Sequence, residues 1–392
     1  MKEAVIVSAA RTPIGSFQGQ FGRVGAVELG ASVIGAVCRR ANLGLERVDH
    51  VWMGHVLQAG LGMNPARQAS VAAGLPFTAP AASVSLVCGS GLLAVIEAAR
   101  AVRSGDVCWA VAGGMENMTQ APHVLPGLRA GVKYGNAELL DTALHDGLTC
   151  AISRQAMGIT AERLAERFGI SREAQDAYAA LSQQRAEAAV RSGRFADEIV
   201  PVEVRERAGV RMAERDEHPR FGTTPEALAK LKPAFEAGGT VTAGNASGIN
   251  DGAAAVLVAS TEEAQDQGLE PLGLIKGYAT VGVEPQWMGL GPVPALRKAL
   301  AQAGLKLEQL DLIEINEAFA SQTIACLQEL GIGSERVNVN GGAIALGHPI
   351  GASGARILVT LLHELKRRQG RFGAAALCVG GGHGVALIVE RP

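Results

Sequence analysis

The sequence predicts an α/β protein with a mostly parallel sheet and helices on both of its faces. Short continuous apolar runs, such as residues 4–7, 51–56 and 107–112, indicate buried strands. Segments with apolar residues at helical spacing lie between them, for example residues 27–40 and 88–102. Because strands that alternate with helices are typical of sheets covered on both sides, this order predicts the fold class.

The middle of the chain has a different pattern. Between residues 122 and 243 the strand signals become rare and charged residues become more frequent. Residues 160–168 and 171–191 have the periodicity of amphipathic helices, and residues 200–204 are compatible with a short edge strand. Structureless loops of this length are uncommon in compact domains. We therefore expect a mainly helical insertion that covers a site.

The α/β pattern then returns. The strands predicted there are residues 253–259, 272–279, 312–315, 374–377 and 384–389. Helices are predicted at residues 293–303 and 351–368, the second with Gly370 as its stop signal. Each half places a cysteine after an apolar run and before glycines, in Cys88-Gly-Ser-Gly and Cys378-Val-Gly-Gly-Gly. This similarity indicates a duplicated α/β domain.

Composition and charge narrow the functional classes. The chain has 392 residues, 48% of them hydrophobic and 19% charged, which excludes a disordered chain and indicates roughly two to three structural units. The formal net charge of −2 gives no general attraction to nucleic acid or a membrane surface. No apolar run reaches the roughly 18 residues of a spanning helix, and the N-terminus lacks the layout of a signal peptide. We therefore expect a cytoplasmic protein.

The cysteines give no sign of a metal site or a disulfide scaffold. None of them belongs to a C-x-x-C pair, so the usual zinc spacings are absent and reduced thiols are expected. Cys88 differs from the others because it stands between an apolar run and a predicted helix, where helix N–H groups stabilise a thiolate. It is either a nucleophile or a buried cysteine in a tight turn, and local chemistry alone leaves both interpretations open.

Three further residues have positions suited to catalysis. His348 lies in a polar, glycine-rich loop before a helix, and imidazole is the side chain best suited to accept a thiol proton near neutral pH. Cys378 lies between a buried strand and Gly380-Gly-Gly, and Asn316 ends the run 312–316. Each also has a structural alternative: a backbone-bonded histidine, a core cysteine and a helix cap.

Four motifs together resemble the thiolase family. They are Val87-Cys88-Gly-Ser-Gly, Asn316-Glu-Ala-Phe319, residues 340–354 around His348, and Cys378-Val-Gly-Gly-Gly. Residues 8–15 and 239–248 are also similar, so the resemblance covers nearly the whole chain in the family's order. It implies the thiolase fold, with two duplicated α/β halves in a five-layered αβαβα core and an inserted, mainly helical loop domain. The expected division is 1–120 plus 250–270, the CoA-binding insertion 121–249, and 271–392.

The resemblance also implies a role for each motif residue. Cys88 would attack an acyl-CoA thioester and hold the acyl group, and His348 would activate Cys88. Cys378 would take a proton from the α-carbon of a second acetyl-CoA, while Asn316 would hold a water that, with His348, stabilises the enolate oxygen. Backbone N–H groups of Cys88 and Gly380 would form the other oxyanion hole. The implied activity is the reversible Claisen condensation of two acetyl-CoA to acetoacetyl-CoA and CoA, with no permanently bound cofactor.

By the same resemblance, the insertion supplies most of the contacts with CoA. Arg220 would meet a CoA phosphate, although a solvated surface charge is the alternative. The other expected contacts are Ala243 and Ser247 along the pantetheine, and Leu148, Met157, Met288 and Phe319 around the thioester. Plain core packing is the alternative for each of the apolar residues.

Two positions depart from the family pattern. Short-chain thiolases usually have histidine before the Met-Gly pair, whereas this chain has Ala156. The change concerns the shape of the acyl pocket, and therefore the preference for acetyl groups. His383 stands where the family often has methionine or glutamine, and it either tunes the nearby Cys378 or only caps the turn.

Other functions compete with condensation of acetyl groups. One is a thiolase for longer or branched 3-ketoacyl-CoA, and another is a non-catalytic relative that carries CoA or lipid. A nucleotide-dependent oxidoreductase is disfavoured because no G-x-G-x-x-G follows the first strand. The expected partners are acyl-CoA substrates and further copies of the chain in a dimer or tetramer, without nucleic acid or membrane. A role in fatty acid metabolism is expected, with the direction of flux open.

Overall fold

The computed structural model describes residues 2–207 and 209–392. The strands are β1 (Ala4–Arg11), β2 (Gly15–Ser16), β3 (His50–Gly54), β4 (Ala81–Val84), β5 (Trp109–Asn117), β6 (His123–Val124), β7 (Leu140–Asp141), β8 (Val202–Glu206), β9 (Gly209–Ala213), β10 (Asn250–Ser260), β11 (Gly273–Gly282), β12 (Leu312–Ile315), β13 (Phe372–Val379) and β14 (His383–Glu390).

Helices separate most of these strands. They are α1 (Ala26–Arg40), α2 (Pro65–Ala72), α3 (Ser90–Ser104), α4 (Met157–Phe168), α5 (Arg172–Arg191), α6 (Pro225–Leu228), α7 (Thr261–Asp266), α8 (Pro292–Ala303), α9 (Ala320–Leu330), α10 (Ala343–Leu346) and α11 (Ser353–Arg368). Short 3-10 turns occupy Leu45–Arg47, Leu128–Ala130, Pro285–Leu290 and Leu307–Gln309, and Ala143–Gly147 forms a π-helical turn.

The two halves of the chain repeat one strand order. In the first half the order is β4-β3-β5-β10-β1. In the second half it is β12-β13-β14-β11, and Val337 adds a parallel bridge to Ile313 at the position that β4 holds in the first half. The halves meet where β1 pairs with β11 at Val5 and Ile6. The duplication inferred from the two cysteine motifs therefore has a structural counterpart.

Five layers result from the packing of these elements. One face of β10 packs with α1 and α2, and the opposite face, which includes Ala254 and Val256, packs with α3 and α11. The same central helices contact one face of β13 and β14 through Leu377 and Leu387. The other face of that sheet packs with α8 and α9. Both central helices are covered by a sheet on each side, which explains the nearly continuous burial of α11.

Three expectations about local structure are wrong. The sheet is mixed rather than mostly parallel, because β10 and β14 run antiparallel to both of their neighbours. Strand β5 does not close at Gly113-Gly114 but continues through them to Asn117. Helix α11 ends at Arg368, as predicted, but the left-handed residue that follows it is Gln369, with a φ of 57°, rather than the expected Gly370.

The segment between β5 and β10 has helices as its longest elements, but turns and irregular backbone make up most of it, so it is less helical than expected. It contains α4, α5 and α6 together with the small hairpins β6–β7 and β8–β9. Strand β8, predicted as an edge strand, pairs only with β9 in its hairpin within the described residues. This segment packs over the ends of the strands that carry the motif residues, and its residues form much of the wall of the cavity described next.

Candidate active site

Cys88 lies in the tight connection between β4 and α3. The preceding Val87 has a φ of 42°, a left-handed conformation that a β-branched residue rarely adopts. The hydroxyl of Ser90 holds this turn, since it accepts the N–H of Leu86 (2.8 Å) and donates to the carbonyl of Val87 (2.7 Å). Strained backbone held in this way is common at functional sites.

His348 forms the principal side-chain contact of Cys88. Its Nε2 lies 3.3 Å from the Cys88 sulfur, and its Nδ1 lies 2.6 Å from the Oγ of Ser353. Ser353 Oγ donates to the carbonyl of Pro349 (2.8 Å), so the hydroxyl accepts from Nδ1–H. This chain of hydrogen bonds leaves the lone pair of Nε2 facing the thiol. The backbone N–H of His348 donates to Asn250 (2.9 Å), which fixes the loop.

Burial sets the protonation of this pair. It raises the pKa of the Cys88 thiol to about 11, although the backbone N–H groups of Gly380 and Cys88 act in the opposite direction. Burial, aided by the positive charge of Arg356, lowers the pKa of His348 to about 3. The sequence led us to expect that the helix N-terminus would stabilise a thiolate at Cys88. Burial outweighs that effect, so the thiol rests in its protonated form. The pair rests as thiol and neutral imidazole, ready for proton transfer when a reaction partner is bound.

The second half places Cys378 and Asn316 at neighbouring strand ends. β12 and β13 are parallel, and the N–H of Asn316 donates to the carbonyl of Ala376 (2.9 Å). Burial and the neighbouring Cys88 raise the pKa of the Cys378 thiol well above its ordinary value. The side chain of Asn316 is fully buried, and neither of its amide atoms has a hydrogen-bond partner among the described residues.

The two cysteine motifs meet in space. A Cβ atom on Gly89 would lie 2.9 Å from the side chain of Val379, and one on Gly380 would lie 3.3 Å from Val87. The backbone N–H of Gly380 also acts to lower the pKa of the Cys88 thiol, so the second motif influences the first. The structure thus brings together Cys88, His348, Cys378 and the Gly380 turn. Asn316 lies at the strand end beside Cys378.

A cavity of about 590 Å³ leads to His348. Its walls come from both halves and from the insertion. The lining residues are Ser16, Phe17, Met118, Leu144, Leu148, Ala156, Met157, Gly158, His218, Arg220, Ala234, Phe235, Ala243, Ala246, Ser247, Gly248, Ile249, Phe319, His348 and Ile350.

Six of the seven predicted CoA contacts line this cavity. They are Leu148, Met157, Arg220, Ala243, Ser247 and Phe319. The seventh, Met288, does not reach its surface; it is buried in an apolar cluster with Cys378 and Phe319 behind the wall. Apolar groups dominate the wall and Arg220 is exposed, which suits a ligand with a long uncharged arm and a charged end.

Sequence reasoning missed several residues of the site. Ser353 stands five positions after His348 within the recognised motif, so its place at the start of α11 was the available signal. Asn250 and Phe235 gave no comparable signal. Phe235 packs edge-on against Phe319, with ring centroids 5.9 Å apart, and its ring also lies close to Gly158.

The two positions that depart from the family pattern both lie near the site. Ala156 lines the cavity directly before Met157. His383 begins β14 beside the Gly380 turn and is half-buried, and its Nδ1 has no hydrogen-bond partner in the described part of the chain. Within the described ranges, no hydrogen bond or ion pair of the His383 side chain distinguishes between tuning Cys378 and capping the turn.

Among residues 2–207 and 209–392, no group of three or more histidine, cysteine or carboxylate side chains is placed to hold a metal ion. Within the same residues, no helix is both long and apolar enough to cross a membrane.

Comparison with known proteins gives one family along the chain. The family model described as "Thiolase, N-terminal domain" matches residues 4–262, and "Thiolase, C-terminal domain" matches residues 269–391. A protein of Chromobacterium violaceum named acetyl-CoA acetyltransferase is 57% identical over 391 residues, which is 100% of both chains. The protein of the same name from Escherichia coli (strain K12) is 55% identical over 392 residues, again 100% of both.

Solved structures agree with this result. The crystal structure of the Bacillus anthracis acetyl-CoA acetyltransferase superposes with a TM-score of 0.98 at 46% identity, covering 100% of this chain and 99% of that one. Human mitochondrial 3-ketoacyl-CoA thiolase gives a TM-score of 0.97 at 41% identity over the same shares. The fold class implied by the motifs is thereby confirmed. Since the two family models span almost the whole sequence and the solved relatives superpose along their full length, the chain belongs to the thiolase family.

Proposed function

We propose that this chain catalyses the reversible Claisen condensation of two acetyl-CoA to acetoacetyl-CoA and CoA, through an acyl group held on Cys88. The observation that carries the proposal is the pairing of the Cys88 thiol with His348 Nε2 at 3.3 Å, with His348 on the wall of a largely apolar cavity. Full-length relatives at 55–57% identity are named acetyl-CoA acetyltransferase, which supports acetyl groups over longer ones.

Acyl transfer to Cys88 is the first half of the proposed reaction. His348 Nε2 accepts the thiol proton as the sulfur attacks the thioester carbon, and CoA leaves with that proton. The N–H groups of Cys88 and Gly380 would stabilise the oxyanion of the tetrahedral intermediate, and their effect of lowering the pKa of the Cys88 thiol supports this role. The neutral resting state of His348 supports a role as general base, because the imidazole is free to accept a proton.

Condensation is the second half. Cys378, as the thiolate, removes a proton from the α-carbon of the second acetyl-CoA, and the resulting enolate attacks the acyl carbon on Cys88. The bond between that carbon and the Cys88 sulfur breaks, acetoacetyl-CoA leaves, and the released sulfur takes up the proton from Cys378. The fully buried amide of Asn316, without a partner among the described residues, supports its proposed role of holding a water for the enolate oxygen with His348.

CoA would reach the site through the cavity. Its wall includes Leu148, Met157, Ala243 and Ser247 from the insertion, which supports residues 121–249 as the CoA-binding unit between the two halves. The exposed Arg220 at this cavity would meet a phosphate of CoA. Met288 would act indirectly, by supporting the wall from behind.

We also propose that the chain forms a homo-oligomer, a dimer or a tetramer. The segment between β6 and β7 supports this, because several large apolar side chains there are exposed, among them Leu128, Tyr134 and Leu139. The cytoplasmic location and the role in fatty acid metabolism stay predictions from the sequence.

The test is the consumption of acetoacetyl-CoA by the purified protein, with and without CoA. Cleavage to acetyl-CoA that requires CoA and is lost in Cys88→Ala would support the proposal. Cys38→Ala is the matched control, since this thiol is buried in α1 and takes no part in the site. Activity only with longer or branched 3-ketoacyl-CoA would replace the acetyl assignment, and no activity with any of them would favour a carrier role.

A further inference from the structure

Glu116 is a buried carboxylate that the proposed reaction does not use. It lies near the end of β5 with a relative exposure of 0%, between Met115 and Asn117. Its oxygens accept three backbone N–H groups: Val56 (3.1 Å) and Gly351 (2.9 Å) on Oε2, and Leu57 (3.2 Å) on Oε1. Carboxylates that accept several backbone donors form strong, charge-assisted hydrogen bonds.

These donors belong to two loops that surround Cys88. One loop follows β3, and its Val56 and Leu57 pack in the same apolar cluster as Cys88. The other runs from His348 to Ser353 and contributes Ile350 to that cluster. Glu116 is therefore the side chain that ties the loop of the histidine to the loop on the other side of the thiol.

The position of Gly351 allows little adjustment. A Cβ on Gly351 would lie 2.6 Å from Glu116 Oε2 and 2.9 Å from His55 Cα. Its own carbonyl oxygen would lie 2.1 Å from a Cβ on Gly114 and 2.7 Å from one on Gly54. Since backbone packs on backbone here, the hydrogen bond from Gly351 to Glu116 fixes the height of the His348 loop over Cys88.

His55 completes this arrangement. Its ring is fully buried, and Nε2 lies 3.2 Å from Glu116 Oε1 without the alignment of a hydrogen bond. The N–H of His55 donates to the carbonyl of Val84 (3.0 Å), which joins β3 to the strand that leads to Cys88. His55 thus covers the oxygen of Glu116 that holds Leu57.

We propose that Glu116, supported by His55, is a positioning residue that sets the distance and angle between His348 and Cys88. The proposal rests on the proposed function for its kinetic readout, but the reactivity of Cys88 tests it independently. An electrostatic role would work against the reaction, since the charge of Glu116 raises the pKa of Cys88. The contribution of the carboxylate is therefore to hold the backbone of the two loops in position.

Two substitutions separate geometry from charge. Glu116→Gln keeps the length of the side chain but has one acceptor oxygen, so its NH₂ group must face at least one of the three N–H donors. Glu116→Asp keeps the charge but is one methylene shorter, so it cannot reach both loops in the same way. A positioning role predicts that both variants lose activity, whereas a role of the charge alone affects only Glu116→Gln.

The experiment measures kcat and KM for thiolysis of acetoacetyl-CoA, and the rate at which iodoacetamide alkylates Cys88. Both variants should show kcat lowered about tenfold or more per folded protein, with KM for CoA within about twofold. Alkylation of Cys88 should slow in both, because His348 no longer faces the thiol correctly. His55→Gln should have a smaller effect in the same direction.

Glu198→Gln is the control for a merely structural loss. Glu198 is equally buried and paired with Arg11 (2.6 Å), but it does not contact the site. The Glu198→Gln substitution should lower the melting temperature while kcat per folded protein stays unchanged.

Unchanged kcat in folded Glu116→Gln or Glu116→Asp, or faster alkylation in Glu116→Gln alone, would overturn the inference. If neither Glu116 variant folds, His55→Gln decides it. If the wild-type protein cleaves no 3-ketoacyl-CoA, the proposed function fails, and the alkylation rates still decide the role of Glu116.

Discussion

Replacing Ser353 by alanine should weaken catalysis without unfolding the protein. Ser353 Oγ accepts the Nδ1–H of His348 (2.6 Å) and donates to the carbonyl of Pro349 (2.8 Å). The hydroxyl therefore selects the tautomer whose Nε2 lone pair faces Cys88. In Ser353→Ala, the buried Nδ1–H has no acceptor, and the alternative tautomer would place a proton between Nε2 and the thiol.

The magnitude follows from the cost of that unpaired donor. A buried donor without a partner costs about 1–3 kcal/mol, and the productive tautomer of His348 bears this cost in the variant. Since about 1.4 kcal/mol corresponds to a tenfold change in rate, kcat should fall about 5- to 150-fold. KM for CoA should change little, because Ser353 does not line the cavity.

The assay is steady-state thiolysis of acetoacetyl-CoA, combined with alkylation of Cys88 by iodoacetamide. Ser260→Ala is a suitable control, because this equally buried serine caps α7 through the N–H of Glu263 and lies outside the site. It should cost about 1 kcal/mol of stability and leave kcat unchanged. A Ser353→Ala protein with wild-type kcat and wild-type alkylation would refute the tautomer argument.

Three other predictions concern pH, substrate size and CoA. Because burial raises the pKa of Cys88 to about 11, its alkylation should accelerate about tenfold per pH unit between pH 7 and 10, and a plateau by pH 8 would contradict this. Ala156→His places an imidazole in the cavity wall and should lower kcat/KM about tenfold more for 3-ketohexanoyl-CoA than for acetoacetyl-CoA; equal losses would exclude a role in acyl selection. Arg220→Ala should raise KM for CoA by up to about fivefold at constant kcat, with a smaller effect in high salt. A KM that changes neither with the substitution nor with the salt concentration would show that Arg220 does not contact CoA.

Most elements were predictable because the apolar periodicity is strong. The directions of the strands were not. β10 and β14 are buried on both faces, so their residues are continuously apolar whichever way the strand runs. The end of β5 was mispredicted for a different reason. The pair Gly113-Gly114 resembles a turn signal. However, a Cβ on Gly113 would lie 2.1 Å from the carbonyl oxygen of Ala254, and one on Gly114 would lie 2.1 Å from that of Gly351. Close packing of the backbone therefore requires glycine at both positions.

The site was predictable only where its chemistry is local in sequence. Cys88 and His348 stand in glycine-rich turns that mark them. Asn250 and Glu116 hold the His348 loop from positions 98 and 235 residues away from the donors that they accept, and nothing in their own neighbourhoods shows this. Such contacts arise from the meeting of the two halves, which sequence patterns within one half do not contain.

The meeting of the halves also orders the two proposed chemical steps. Cys88 has a base at 3.3 Å, whereas Cys378 is buried and its thiol ionises with difficulty, in part because of Cys88. A thiolate at Cys88 would oppose a second one at Cys378, so the resting site favours at most one negative sulfur. A Cys88 thiol and an acylated Cys88 are both neutral, so Cys378 can ionise beside either of them but not beside a Cys88 thiolate. On the proposed assignment, the two sulfurs therefore carry the negative charge in turn, Cys88 during acyl transfer and Cys378 during condensation.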